Sequence, residues 1–292
     1  VYLAHYYGAK LFYNDTAVAN ASGTVVFDGK PFEEGGKYAL VVPGPKFFEF
    51  MMVNEPMEFR TSASDPSGDL QVIQSKENEV FYGYLDFIKG KRNERAPFDA
   101  VLRDSSAAPQ AVSDARAGIA KLTEEVNEYQ YYLTNDPRNF LFGKYLKMIN
   151  EPKVPDAPEG VEDAAMWQYM WYRNHYWDRV DFSDPRLVRD GAFDQLISRF
   201  WSKVLPQIPD TLIVEAHSLL DRALQANNKD MFKYMAHHMT YASESSKIMC
   251  MDKVFVDLVN SYYRTGIVDW LSEEQSKKIL DRAEDLRYTL CG

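Results

Sequence analysis

The side chains of this 292-residue chain whose types could do chemistry are two cysteines, five histidines, several acidic pairs and one dense aromatic run. Thiol–disulfide exchange needs two sulfurs close together, and Cys250 and Cys291 are too far apart in sequence for a Cys-x-x-Cys pair. Two cysteines also fall short of any multi-cysteine zinc pattern. Cys250 lies between Met249 and Met251 in what reads as a helical run, where a small buried thiol is the ordinary occupant. Whether the two cysteines pair is left open, since a bridge requires the fold to bring their Cα atoms within about 7 Å.

Of the histidines (His5, His175, His217, His237 and His238), none stands four residues from another. The adjacent His237 and His238 would point about 100° apart on a helix and so could not readily share one ion. No metal site and no cofactor are therefore expected. The sequence has no Gly-x-Ser-x-Gly, no glycine-rich phosphate loop and no His-Glu-x-x-His. Glu124-Glu125 and Glu273-Glu274 fall on exposed faces or first turns of expected helices, where carboxylates are solvated or complement the helix dipole. No catalytic residue is assigned.

The aromatic run is the most unusual local composition. Trp167, Tyr169, Trp171, Tyr172, Tyr176 and Trp177 place six aromatics in eleven residues. On a helix, Met166, Trp167, Met170, Trp171 and Trp177 fall in one arc and the three tyrosines in the opposite one. Such a helix is expected to pack between two layers. Trp167, Trp171, Tyr172 and Tyr176 are the residues that could instead form a ligand or partner surface.

Positioning these residues requires two kinds of architecture. Up to about residue 74 the chain reads as short strands, Tyr2–Tyr7, Thr24–Phe27, Tyr38–Val42, Phe47–Val53, Met57–Arg60 and Leu70–Ile73, separated by turn residues such as Asn14-Asp15, Asp28-Gly29 and Pro43-Gly44. An antiparallel meander or sandwich is expected. From Ser75, a helix N-cap, Phe81, Tyr84, Leu85 and Ile88 share one face, and Pro97 should end or kink that helix. Val112, Ala115, Ile119, Leu122, Val126, Tyr129 and Leu133 follow alternating steps of 3 and 4, giving a second helix that folds back on the first. Asp136-Pro137 stops it, and a further helix is expected from about Phe140 to Ile149. Pro152, Pro155 and Pro158 then make an extended connector, and the rest reads as a helical bundle with short loops. The expectation is an α+β chain: a β domain over 1–74, a helical hairpin with a connecting helix over 75–150, and an all-α domain over 151–292.

A net charge of −10 opposes a phosphate backbone, so nucleic acid is not an expected partner. No window approaches the roughly 20 apolar residues that span a bilayer. The chain begins at Val1, which is read as the trimmed start of a longer protein whose targeting segment has been removed.

Several short motifs, in order, resemble the N-terminal region of thioredoxin-like thiol–disulfide oxidoreductases of Bacteroidota, of the periplasmic TlpA and ResA type. In the β part these are Val25-Val26-Phe27-Asp28-Gly29, Gly36-Lys37-Tyr38, Phe47-Phe48-Glu49-Phe50 and Glu77-Asn78 with Phe81. In the helical part they are Glu151-Pro152 with Val154-Pro155, Asp181-Phe182-Ser183-Asp184-Pro185-Arg186-Leu187, and Ser246 to Asp252 followed by Tyr262-Tyr263, Thr265-Gly266 and Trp270. The resemblance implies two domains of unknown function, β-rich then helical, ahead of a thioredoxin domain. It places the junction to that domain at Cys291 and Gly292, and gives neither Cys250 nor Cys291 a redox role. It implies a periplasmic or cell-envelope location. As partners it implies a protein or peptide substrate and the thioredoxin domain, with a homodimer as one arrangement such a module could support. A free-standing peptide- or glycan-binding helical module is the alternative.

Overall fold

The computed structural model describes residues 1–27, 35–44 and 46–288. The chain forms two compact units, Val1–Tyr6 with Leu11–Asn150, and Tyr7–Lys10 with Glu151–Gly292. The architecture is α+β, with antiparallel sheets followed by a larger helical region.

In the first unit, β1 (Tyr2–Tyr7), β2 (Lys10–Thr16), β3 (Gly36–Val42) and β4 (Lys46–Met52) form one sheet in the order β2-β1-β3-β4. A second, two-stranded sheet pairs β5 (Glu58–Arg60) with β6 (Gln71–Gln74). Register is set by alternation: Tyr38 stands opposite Phe50 and Leu40 opposite Phe48, so one face gathers Leu3, Tyr38, Phe48, Phe50 and Met52 into a core. Phe59 of β5 closes on that core, its ring centroid 5.5 Å from Phe48 and 5.3 Å from Phe50.

Two strand expectations are corrected. Thr24–Phe27 is irregular, because the Asn20 side chain accepts from the amides of Ser22 and Thr24 and closes a local loop. Lys10–Thr16, where Asn14-Asp15 suggested a turn, is instead a strand. The reversal falls earlier, at Gly8-Ala9, with Gly8 at φ +56°. The expected turn at Asp28-Gly29 lies outside the described residues.

Helix α1 (Lys76–Arg103) starts where Ser75 predicts, the Ser75 hydroxyl accepting from the Asn78 amide at 3.0 Å. It runs through Pro97 instead of ending there. Pro97 and Asn93, whose carbonyl loses its intrahelical donor, are both exposed, so water can take that bond. Helix α2 (Pro109–Thr134) folds back antiparallel. Gln130 donates to Tyr84, Lys91 pairs with Glu125 at 2.6 Å, and Phe98 lies against Gly118. The 3,4 stripe from Val112 to Leu133 is the buried or half-buried face.

Glu77 and Asn78 join these layers. Asn78, fully buried, offers its amide to β4 as a strand would: it accepts from Met51 N at 2.7 Å and donates to Met51 O at 2.9 Å. The buried Glu77 carboxylate accepts from the amides of Leu141 and Phe142 (3.0 and 2.6 Å), the first turn of α3 (Leu141–Ile149). Phe81 then packs on Phe142. This motif is a structural joint.

The second unit holds α4 (Ala164–His175), α5 (Gly191–Arg199), α6 (Pro209–Gln225), α7 (Lys229–Glu244), α8 (Asp252–Leu258) and α9 (Glu273–Arg287). Asp163, Asp190, Asn228 and Ser272 cap α4, α5, α7 and α9 with their side chains, and Pro209 opens α6. Helices α5 and α8 each end in a π-turn, Phe200–Val204 and Val259–Tyr263. Among the described residues no helix is long and apolar enough to cross a membrane.

Candidate functional site

Helix α4 contains none of the buried residues its composition suggests. Met166 and Met170 are 54% and 38% exposed, and Trp167 and Trp171 are half-buried, so the Met–Trp arc is open to solvent. The expectation of a helix packed between two layers is thus corrected. The reason is where the helix stops: His175 is its last residue, and the chain turns at Tyr176. The run is split there. Tyr176 (0% exposed) and Trp177 (3%) enter the core against Phe200, at 4.8 and 5.4 Å between ring centroids, and the Tyr176 hydroxyl donates to Leu196 O at 2.9 Å.

The surface half is held in place by polar contacts. The Trp171 indole lies parallel to the His175 imidazole, 4.1 Å between centroids, and His175 Nδ1 is 2.7 Å from the Trp171 carbonyl. One face of the indole is therefore covered and the ring is fixed. Tyr172 donates to Glu151 at 2.7 Å, and Tyr169 to Val204 O at 2.9 Å. Burial, followed by the Glu151 carboxylate, pushes the Tyr172 phenol up to about 12. Glu151 also meets Arg199, so both Glu151 and the tyrosine serve to anchor α4. Of the four residues singled out by the sequence, Trp167 and Trp171 share the open face, Tyr172 anchors it and Tyr176 lies in the core.

Two histidine clusters were not legible in the sequence, because their members come from different helices. His217 on α6 stands between Asp257 on α8 (Nε2 to Oδ2, 2.6 Å) and the hydroxyl of Tyr262 in the π-turn (Nδ1, 2.7 Å). An Asp–His pair supplies two of the three members of a nucleophile-activating triad. The third member here is Tyr262, which is 4% exposed and packed on Phe232, and whose phenol is pushed up by burial and then by Asp221 and Asp257. A phenol held protonated in the core is not an activated nucleophile. With both ring nitrogens engaged, the histidine ties α6 to α8.

The second cluster joins α5 to α7. Ser198 Oγ is 3.5 Å from His238 Nε2, and His238 Nδ1 is 3.7 Å from Asp194 Oδ1. The order is that of Ser-His-Asp, but Asp194 Oδ1 takes its short bond, 2.5 Å, from the Tyr234 hydroxyl. The carboxylate thus orients a tyrosine in preference to the imidazole. Burial lowers the His238 pKa, against the opposing pull of Asp194. Among the described residues, no three His, Cys, Asp or Glu side chains come together in a way that could hold a metal ion.

The segment Met249-Cys250-Met251 is a turn, which corrects the helical reading. Cys250 takes φ +70°, a left-handed conformation that breaks a helix, and its sulfur is disulfide-bonded, so it is no inert core thiol. Met249 is 83% exposed and Met251 is buried. Cys291 and Gly292, the expected junction, lie outside the described residues.

These features define an α+β protein whose larger region is a helical domain with an aromatic surface helix. A protein-family model described as "Domain of unknown function (DUF5106)" matches residues 114–289, more than half of the chain, and the chain belongs to that family. No curated protein and no solved structure matches it.

Proposed function

We propose that this chain is a non-catalytic accessory region of an envelope thiol–disulfide oxidoreductase of the TlpA/ResA type found in Bacteroidota, positioning a protein or peptide substrate or partner for a thioredoxin domain that would follow Gly292. The observation that carries the reading is the open Met166–Trp167–Met170–Trp171 face, fixed by the stack on His175 and the anchor at Glu151. Exposed methionine beside tryptophan suits irregular side chains of a protein partner, since the thioether adapts and the indole supplies rigid contact area. Methionines fit a glycan less well, which places the sugar-binding alternative second.

The catalytic part of the reading rests on chemistry this chain would leave to its neighbour. Exchange begins with a thiolate attacking a disulfide, and Cys250 is bridged. Joined ahead of a thioredoxin-type domain, the chain should lower KM for a protein disulfide while leaving kcat for a small aromatic disulfide unchanged. The pair Met170→Ala and Trp171→Ala should return KM to that of the catalytic domain alone. An unchanged KM for the protein substrate in that pair overturns the reading. A glycan screen in which the unaltered chain binds and Trp171→Ala does not would select the alternative.

A further inference from the structure

The second unit includes four residues from far outside its helices, Tyr7–Lys10, and they are held by groups placed to fit them. Gly8 N donates to Val188 O at 2.7 Å. The Tyr7 ring meets Tyr234 edge-on at 5.3 Å, its hydroxyl reaches Asp230 O at 3.4 Å, and the Arg189 guanidinium lies 5.9 Å from its centroid. Arg189 is itself fixed by Asp230 at 3.0 Å, and Tyr234 by Asp194 and by the edge of Phe193.

This arrangement selects sequence as well as shape. Gly8 has φ +56°, and a Cβ built on it would lie 2.0 Å from the Tyr234 oxygen and 2.3 Å from its ring. Tyr234 cannot swing aside without giving up its bond to Asp194. Only glycine fits there, for backbone and for space. The preceding position requires an aromatic ring with a polar tip. The walls come from Val188–Asp194 and α7, both within the family match, whereas Tyr7–Lys10 lies outside it.

We propose that Val188–Asp194 and α7 form a recognition socket for an aromatic–glycine turn, that Tyr7–Lys10 is its resident ligand in cis, and that the same turn presented by another protein can replace it. This stands apart from the reading of α4. A tethered ligand lowers the apparent affinity of a competitor by the fraction of time the socket is open. Gly8→Ala should eject the resident turn and remove that competition.

The test is a titration of the full chain and of its Gly8→Ala variant with a cyclised hexapeptide copying residues 6–11. Binding to the variant should be about tenfold or more tighter than to the unaltered chain, and a peptide with alanine in place of its glycine should bind neither. Equal binding to both chains, or none to a Gly8→Ala variant that keeps its helical circular dichroism, overturns the proposal. Should that variant lose its helices, hydrogen exchange on the unaltered chain decides. The Gly8 amide, bonded to Val188 O, should exchange with the slow class of α7, and exchange at the rate of an open loop overturns the proposal.

Discussion

Helix α4 and the cluster just beyond it are built from the same residue types, within one eleven-residue run, and meet opposite fates. Trp167 and Trp171 remain at the surface with Met166 and Met170. Tyr176 and Trp177 disappear among Phe182, Phe193 and Phe200. Composition is nearly constant across the boundary, so it cannot be the cause. The difference lies in the backbone, where the α-helix ends at His175 and gives way to tighter turns, Tyr176 N bonding Arg173 O and Asp178 N bonding His175 O. An aromatic-rich run is therefore core or surface according to where its helix stops. What remains outside after the core is filled is the part available for recognition.

Substitutions across this boundary should separate the two halves. The largest effect is expected in the core: Phe200→Ala, removing a ring 1% exposed and in contact with both Tyr176 and Trp177, should cost about 3–5 kcal/mol in urea unfolding. Trp171→Ala, which removes a half-buried ring and its stack on His175, should cost only about 1 kcal/mol. Comparable losses at the two sites would erase the distinction. Next, Glu77→Ala in the first unit should cost about 1–3 kcal/mol, because it leaves the Leu141 and Phe142 amides unbonded in the interior. Little change in chemical denaturation would show that Glu77 is not the joint described here. A smaller contrast is expected between phenols: Tyr176→Phe should cost about 1 kcal/mol by removing the buried hydroxyl's bond to Leu196 O, which keeps its bond from the Phe200 amide, and Tyr172→Phe, on the solvent side, less.

The smallest effect is in pH dependence. Burial holds the folded-state pKa of His238 below its ordinary 6.5, so below that pH the unfolded chain takes up the proton first. Stability should fall as pH drops from 6.5 toward the lower, folded value, and be unaffected by this group above 6.5. His238→Gln should flatten the Tm–pH curve in that window. An unchanged slope would mean that His238 is not the half-buried link between α5 and α7.

Much of the fold was legible because it is written in local patterns. Ser75 caps α1, and the 3,4 stripe of α2 is its inward face. The errors arise where distant residues or solvent decide. Pro97 reads as a helix end, yet an exposed carbonyl tolerates the lost bond. Asn14-Asp15 reads as a turn, yet the sheet turns at Gly8-Ala9 and carries those residues along β2. Met249-Cys250-Met251 has helical composition, and neither the left-handed Cys250 nor its disulfide leaves a trace in residue types.

The site was only partly legible for the same reason. The aromatic run is visible as composition, but its division at Tyr176 is not. The His217 and His238 clusters assemble from α6, α8 and the π-turn, and from α5 and α7, at sequence separations that no motif spans. The family-like motif Glu77-Asn78 is conspicuous and proves to be structural. Its carboxylate and amide satisfy backbone groups of α3 and β4.

The central claim, a non-catalytic chain that works through the α4 face, is tested most directly by disulfide-reduction kinetics of the chain joined to a thioredoxin-type domain. For Met170→Ala with Trp171→Ala, the account predicts kcat/KM about tenfold lower on a protein disulfide, equivalent to losing about 1.4 kcal/mol of partner binding, and no change on a small disulfide. It also predicts that the chain alone gives only the uncatalysed rate. Turnover by the chain alone, or equal kcat/KM on the protein substrate with and without the α4 pair, would contradict it.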